Sequence, residues 1–398
     1  MVKEEKRVLG LTRNVFVLGL VSFFTDISSE MTLTLLPLFL ANVLGVKTSI
    51  IGLIEGIAEA TASLLKIFSG WLSDRLGRRK TLVALGYGLS SFAKPFLAIA
   101  TTWPQVLLIR FTDRVGKGIR TSPRDALVAD SSPVETRGRS FGFHRAADTG
   151  GAVVGLATAA MVIYLTQRGA VELSLNTYRT IVLLAIIPAF LAVALVVFFV
   201  TEVKPRITTV SAPLSLSLQG FDLRFKLFLL IIILFTLGNS SDAFLILRAQ
   251  NLGLNVFQIT LMLVGFNVLY ALVSMPAGEL SDKIGRRKVI VMGWLAYALI
   301  YLGFALATRN WHVWLLYVGY GLYYGMTEGV ARALVADLVP SPRRASAYGL
   351  YHSAVGLTAF PASFIAGVLW QVFSPAAPFL FGAVMAGLAT ALFILLIR

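Results

Sequence analysis

Arg110, Asp113, Arg114 and Lys117 stand at i, i+3, i+4 and i+7 within one apolar run, and Arg120 and Arg124 continue along the same helical face. The run, 103–129, is long enough to cross a bilayer. Against acyl chains each ionised side chain costs roughly 2.5–3.5 kcal/mol at mid-depth, so the first four together cost on the order of 10 kcal/mol. The stripe must therefore border water or internal partners. Two chemistries answer that demand: a salt-bridge web around Asp113, or a cationic wall that draws in an anionic group. The surplus of cations over Asp113 points towards the wall, with Arg110, Asp113, Arg114 and Lys117 as candidate substrate-binding residues.

A second set of residues has the chemistry to carry protons. Asp26 and Glu30 lie one turn apart in the first apolar run, with Ser22 and Ser29 on the same face. Two carboxylates this close in a partly dehydrated site resist ionising together, which is what proton coupling needs. Glu55 and Glu59 repeat the theme in the second run, where Glu59 either joins the coupling or neutralises Lys66 or Lys94. The fifth run adds His144, Arg145 and Asp148, with histidine and aspartate at i, i+4. Histidine switches readily near neutral pH, so His144 and Arg145 are assigned to substrate binding and Asp148 to proton coupling; the alternative for His144 is a hydrogen-bonded packing role. Gly151 and Gly155, further along the same run, permit a close helix contact.

The elements that hold these residues follow from composition. Apolar residues make up 57% of the 398 and charged ones 14%, and the mean hydropathy is +0.79. That balance belongs to a polytopic membrane protein. Twelve spans are expected, at 15–43, 49–73, 80–100, 103–129, 138–166, 177–200, 225–249, 255–280, 289–307, 311–337, 345–372 and 376–397. The net charge of +15 comes from Lys and Arg gathered in short turns on one side, among them Arg75, Arg78, Lys80, Lys204, Arg206, Lys283 and Lys288. That bias places both termini in the cytoplasm and argues against nucleic acid as a partner. The absence of cysteine excludes disulfides, thiolate metal sites and Cys nucleophiles. The charged leader Lys3–Arg13 precedes a run too long, and too closely followed by others, for a cleaved signal peptide.

The chain is also duplicated. GWLSDRLGRRK at Gly70–Lys80 returns as GELSDKIGRRK at Gly278–Lys288, and ALVAD at Ala126–Asp130 returns at Ala333–Asp337. Each first-pair copy sits between two apolar runs, so each is a tight turn at a membrane face. Six spans per half make the duplication parallel, with an N-terminal bundle at 1–201, a polar linker at 202–222 and a C-terminal bundle at 223–398. Through the repeat, Arg110, Asp113 and Lys117 map onto Tyr317, Tyr320 and Tyr324. An aromatic wall suits the body of an amphipathic ligand; the alternative is helix packing, with Gly321, Gly325 and Gly329 at four-residue spacing. Glu328 and Arg332 read as an internal pair, and Asp242 and Arg248 as candidates for an outer gate.

The twin G-x-x-x-D-[RK]-x-G-R-R-K turns resemble the major facilitator superfamily across essentially the whole chain. The resemblance implies alternating access by two six-helix bundles. It also implies a cytoplasmic gate in which Asp74, Arg75, Arg78, Asp282 and Lys283 work with Asp130 and Asp337. Leu156 follows Gly155 where the superfamily's antiporter motif has a Gly-Pro pair.

The expectation is an all-α, multi-pass protein of a prokaryotic cytoplasmic membrane, monomeric and without cofactor or metal. It would be a proton-coupled secondary transporter whose partners are a small anionic or zwitterionic organic solute, protons and the lipid bilayer. Efflux of lipophilic cations drawn by Asp26, Glu30, Glu55 and Glu59 is the alternative, followed by lipid flipping and by a non-transporting sensor. No phosphate-binding G-x-x-x-x-G-K-[ST], H-E-x-x-H or G-x-S-x-G occurs, so an enzyme or an ATP-driven pump is not expected.

Overall fold

The computed structural model describes residues 7–8, 11–132, 137–203, 218–339 and 344–397. Most of the expected linker, 204–217 with Lys204 and Arg206, lies outside the described residues, as do the side chains of Asp74 and Asp282. Apart from a two-residue antiparallel pairing near the N-terminus, the described chain is helical. Its helices are α1 Arg13–Val43, α2 Thr48–Leu76, α3 Arg79–Ala93, α4 Trp103–Asp130, α5 Arg137–Gln167 and α6 Leu175–Phe199 in the first half. The second half has α7 Leu223–Asn251, α8 Val256–Ile284, α9 Arg286–Leu306, α10 Asn310–Leu338, α11 Arg344–Val372 and α12 Ala377–Leu396. Eleven coincide with the expected spans to within about four residues; α3 ends at Ala93, short of the expected 100, and the 3-10 turn Lys94–Ala98 covers most of the remainder.

Among the described residues, eight of these helices are long and apolar enough to cross a membrane on length and composition alone. The other four have physical reasons to fall short. α2 and α4 carry the ionisable residues described above, α10 is rich in Tyr, Trp and Gly, and α3 has only 15 residues before the 3-10 turn Lys94–Ala98. Leu183, Ile187, Phe190 and Phe198 of α6 are exposed, as are Leu295, Leu299, Leu302 and Leu306 along one face of α9. Apolar belts of this kind are stable only in lipid.

Both repeated turns use glycine for the same reason. The N–H of Gly77 caps α2 on Ser73 O at 3.0 Å, and that of Gly285 caps α8 on Ser281 O at 3.1 Å. Their φ angles, +60° and +96°, lie where a side chain is strained.

The chain divides by contact into two compact units. The first comprises Met1–Leu36, Leu64–Val162 and Leu175–Pro213; the second comprises Pro37–Ser63, Ile163–Ser174 and Leu214–Arg398. In the first, Val15, Leu18 and Val21 of α1 pack with Val83 and Tyr87 of α3, Leu127 and Val128 of α4, and Ala192 and Val196 of α6. Helices α3 and α4 touch backbone to backbone, since a methyl group on Gly86 would fall 2.6 Å from Gly116 O. The expected contact at Gly151 and Gly155 is present: methyl groups there would meet Phe23 O at 2.3 Å and Ile27 O at 2.5 Å, so α5 lies directly on α1. In the second unit the first half of α2 lies on α11, where a methyl on Gly52 would meet Ser363 O at 2.2 Å and one on Gly367 would meet Thr48 O at 2.6 Å.

One irregularity obeys the repeat. Helix α1 leaves α-geometry at 33–35 and ends in a π turn, Phe39–Val43; α7 is α-helical over Leu223–Gly238 and again over Ala243–Asn251, leaving 239–242 unwound. At the offset of 207 that relates Ala126 to Ala333, positions 33–35 correspond to 240–242. Both halves therefore interrupt their first helix at the same place.

Candidate functional site

In the first unit the charged stripe of α4 is largely internal. Arg110, Asp113, Arg114 and Arg120 are buried, whereas Lys117 and Arg124 are half-buried. Asp113 Oδ2 lies 3.9 Å from Arg110 Nη1 and 4.0 Å from Arg114 Nε, so the carboxylate bridges the two guanidiniums. Arg120 donates to Ser90 Oγ at 2.6 Å and stacks over the Tyr87 ring at 4.5 Å. A cation over a tyrosine face is stabilised by the ring quadrupole, more so when desolvated. Arg124 instead turns to its neighbour, with Nε and Nη2 donating to Asp125 Oδ1 at 3.0 and 2.9 Å. Of the four α4 candidates, Lys117 has the most access to solvent.

The acidic candidates of α1 and α5 share a polar seam. Ser22 donates to Asp148 Oδ1, and Ser22 stands one turn before Asp26 on α1. His144 Nδ1 and Arg145 Nη1 approach Asp148 at 3.8 and 3.9 Å. His144 is buried, Arg145 is exposed, and Asp26, Glu30 and Asp148 are half-buried. Glu30 accepts from Thr34 Oγ1 at 2.6 Å, within the residues where α1 leaves α-geometry. The close seating of α5 on α1 through Gly151 and Gly155 holds this seam. Buried Glu55 and half-buried Glu59 belong instead to the part of α2 grouped with the second unit.

In the second unit the α10 tyrosines form the centre of an aromatic cluster. Phe266 of α8 lies 5.6, 5.7 and 5.5 Å from the rings of Tyr317, Tyr320 and Tyr324. Tyr317 and Tyr320 are buried and Tyr324 half-buried. Their hydroxyls are directed at the unwound part of α7: Tyr320 donates to Asp242 Oδ1 at 3.1 Å and Tyr324 to Asp242 Oδ2 at 3.4 Å. Asn239 Nδ2 donates to Tyr323 Oη at 3.1 Å. Tyr297 supports the break by donating to Gly238 O at 2.8 Å, taking up a carbonyl near the end of the first α7 segment. Gly321 and Gly325 also pack α10 onto α8, where added methyls would meet Phe266 O at 2.9 Å and Val273 at 2.8 Å. Glu328 pairs with Arg332 and accepts from Tyr270.

At the repeated turns, Asp130 pairs with Arg79, and Asp337 lies 3.5 Å from Arg286 Nε. Arg75 is exposed and stacks over Trp71 at 5.4 Å; Arg78 and Lys283 are exposed. Glu202 accepts from the backbone N–H of Arg79 at 3.0 Å and of Lys80 at 3.0 and 3.2 Å, which places an anion at the N-terminus of α3.

Sequence reasoning missed two features. Asn239, Ser240, Ser241 and Asp242 form a polar quartet in an apolar run, the one signal of the α7 break. Lys94 enters the sequence reading only as a possible partner of Glu59, yet it is buried and donates to Ser28 and Ser29 on α1.

A family model described as Major Facilitator Superfamily matches residues 18–247 and 227–398. The chain is 37% identical over 390 residues to an uncharacterised MFS-type transporter of Methanocaldococcus jannaschii, covering 96% of this chain and 95% of that one. It is 25% identical over 145 residues to the quinolone resistance protein NorA of Staphylococcus aureus, 36% of this chain and 37% of that one. Among solved structures, a POT family transporter in complex with 5-aminolevulinic acid superposes with a TM-score of 0.82 at 14% identity, over 98% of this chain and 97% of that one.

Proposed function

This chain belongs to the major facilitator superfamily of transporters, and on that premise we propose that it is a proton-coupled secondary transporter of small amphipathic organic solutes. The observation that carries this reading is the seam of Asp26, Glu30 and Asp148, three half-buried carboxylates on two membrane-spanning helices joined by the Ser22–Asp148 hydrogen bond. Ionisable groups at such depth are costly, and proton relays are the recurrent reason to keep them. A proton crossing about 100 mV releases about 2.3 kcal/mol, enough to drive useful accumulation. In the first unit Lys117, Arg110, Arg114 and Arg145 are the candidates to supply positive charge for an anionic group, with His144 as a polar neighbour; in the second unit Tyr317, Tyr320 and Tyr324 offer apolar faces and hydroxyl tips. The interruption of α1 and α7 at equivalent positions supports placing solute recognition there, since broken helices in matching halves accompany transporter binding sites. Archaeal and bacterial relatives support a prokaryotic cytoplasmic membrane, and the chain is read as a monomer working by alternating access, with Asp130 and Asp337 in its gate.

Efflux of lipophilic cations is the second reading: Asp26, Glu30, Glu55 and Glu59 would draw the cation, and the similarity to the quinolone resistance protein favours efflux. Proteoliposomes with an imposed pH gradient test both. Ethidium serves as the cationic probe, and a panel of carboxylated and zwitterionic solutes as the others. Asp26→Asn combined with Glu30→Gln is expected to abolish pH-driven movement and to leave solute exchange without a gradient intact. Full pH drive in that double variant overturns the coupling. Lys117→Gln should impair anionic and zwitterionic solutes and spare ethidium; the opposite pattern selects the second reading.

A further inference from the structure

Lys94 is 2% exposed, buried more completely than Arg110, Arg114 or Arg120. It opens the 3-10 turn Lys94–Ala98 at the end of α3, and its ammonium donates to Ser29 Oγ at 2.8 Å and Ser28 Oγ at 3.2 Å. Among the described residues no carboxylate oxygen lies within 4.0 Å of its nitrogen. A buried lysine held by hydroxyls alone is unusual, because a structural cation at this depth ordinarily pairs with a carboxylate.

The charged and titratable groups on every neighbouring element sharpen the point. From α4 come Arg110, Asp113, Arg114 and Arg120, with Asp113 already bridging Arg110 and Arg114. From α1 come Asp26 and Glu30, and Asp26 in turn faces Asp148 of α5 and Lys117 and Arg120 of α4. From α6 come Tyr178, whose hydroxyl donates to Thr32 O at 3.3 Å, and Arg179, whose Nε donates to Ala98 O at 2.8 Å. From α3 comes Tyr87, covered by Arg120. Arginine does not give up its proton in proteins, whereas a buried lysine does so readily. Lys94 is therefore the one fully buried cation among these that is able to discharge.

The partners suit that role. A serine hydroxyl accepts from an ammonium and donates to a neutral amine with equal ease, so Ser28 and Ser29 hold the nitrogen in either state. A carboxylate partner would lock it charged. Ser29, the nearer partner, is half-buried and stands three residues from Asp26 on α1.

We propose that Lys94 is a proton-exchanging residue that shares one proton with Asp26, by way of Ser29, during the transport cycle. An N–H bond on the Lys94 ammonium breaks and an O–H bond forms on the Asp26 carboxylate. The amine becomes neutral, the carboxylate becomes a carboxylic acid, and net charge is unchanged. With both groups neutral, α1 and α3 can shift without dragging an ionic pair through the membrane; Asp26 then exchanges the proton with water. This inference rests on the proton-coupled reading above.

The test needs no solute. Proteoliposomes of the full-length protein on a solid-supported membrane are stepped in pH between about 6 and 10, the range in which amine discharge becomes measurable, and the displaced charge is recorded against protein-free liposomes. Lys94→Arg keeps the positive charge and forbids its release. It is expected to reduce the displaced charge to about half of wild type or less, and Lys94→Met, a neutral near-isostere, to do the same. Thermal unfolding in detergent identifies which variant retains the fold, and a folded Lys94→Met suffices if the larger Arg does not fit. Asp26→Asn should give a loss of similar size, and Lys94→Met/Asp26→Asn should lose no more than either single change, because one proton is shared. A wild-type signal from folded Lys94→Arg or Lys94→Met overturns the role of Lys94 and leaves the proton-coupled reading standing. Losses that simply add in the double variant overturn the sharing. No signal from wild type removes the proton-coupled reading and this inference with it.

Discussion

Asp130, the last residue of α4, accepts a hydrogen bond from the guanidinium of Arg79, the first residue of α3. The second half makes the counterpart pair, but between Asp337 and Arg286, which aligns in the repeated turn with Arg78 rather than Arg79. The slip has a geometric cause. Gly77 and Arg78 separate α2 from α3, whereas Gly285 alone separates α8 from α9. In both halves the paired arginine is thus the first residue of the following helix. A cation at a helix N-terminus is disfavoured by the helix dipole, and the carboxylates of Asp130 and Glu202 offset that cost at α3.

The two pairs should differ in strength. Arg79 and Asp130 side chains are 9% and 19% exposed, against 27% and 57% for Arg286 and Asp337. Asp130→Asn removes the charged partner of a buried guanidinium, which keeps its hydrogen bond to Ala126 O, and is expected to cost on the order of 2–3 kcal/mol. Asp337→Asn is expected to cost less than about 1 kcal/mol. Apparent melting temperatures of the purified variants in detergent check this: a lower value for Asp337→Asn than for Asp130→Asn contradicts the burial argument.

Neighbouring glycines on α5 provide a test of the carboxylate seam with its own control. A methyl on Gly151 would meet the carbonyl of Phe23 at 2.3 Å, while one on Gly150 would find Phe23 ring atoms at an ordinary 3.7 Å. Gly151→Ala must push α5 off α1 and should destabilise by about 1–3 kcal/mol. Gly150→Ala should be neutral or mildly stabilising, since it adds helix propensity. Displacing α5 also draws Asp148 away from Ser22, so Gly151→Ala should weaken pH-driven transport even at temperatures where the protein remains folded. Equal melting and equal transport for the two variants would falsify this account.

The spans were legible because hydrocarbon thickness imposes a length and the Gly-Arg-Arg turns mark where it ends. Hydropathy does not report which face of a helix meets which neighbour, and that is where reading stopped. Lys94, inside the expected span 80–100, reads as a charge for Glu59 to neutralise; the 3-10 turn that it opens faces it instead towards the serines of α1. The expected span 225–249 reads as one helix, since four polar residues could lie on an unbroken one. What separates its two segments is tertiary: Gly238 pressed against Gly382, with a methyl on Gly382 only 2.6 Å from Gly238 O, and Tyr297 bonding that same carbonyl. The repeat located Tyr317, Tyr320 and Tyr324 through their charged counterparts but not Tyr297 or Tyr323, whose rings lie 4.8 Å apart, because the residues at offset 207, Ser90 and Gly116, carry no charge to single them out.

The hydroxyls on Asp242 separate a packing role from a recognition role for the α10 tyrosines. Tyr320→Phe and Tyr324→Phe each keep the ring and remove one donor to the carboxylate. Tyr320 is fully buried, so losing its hydroxyl removes a hydrogen bond to Asp242 on a side water does not readily reach and should destabilise by about 1–3 kcal/mol. Tyr324 is half-buried and its bond is longer, 3.4 Å against 3.1 Å, so water can replace the lost donor and Tyr324→Phe should cost less than about 1 kcal/mol. Transport should reverse the order after correction for the amount of folded protein, because the more accessible Tyr324 has the hydroxyl a solute can reach. Unfolding curves and initial transport rates for the two variants supply both orders, and a Tyr324→Phe protein with unchanged transport would assign the tyrosine stripe to helix packing.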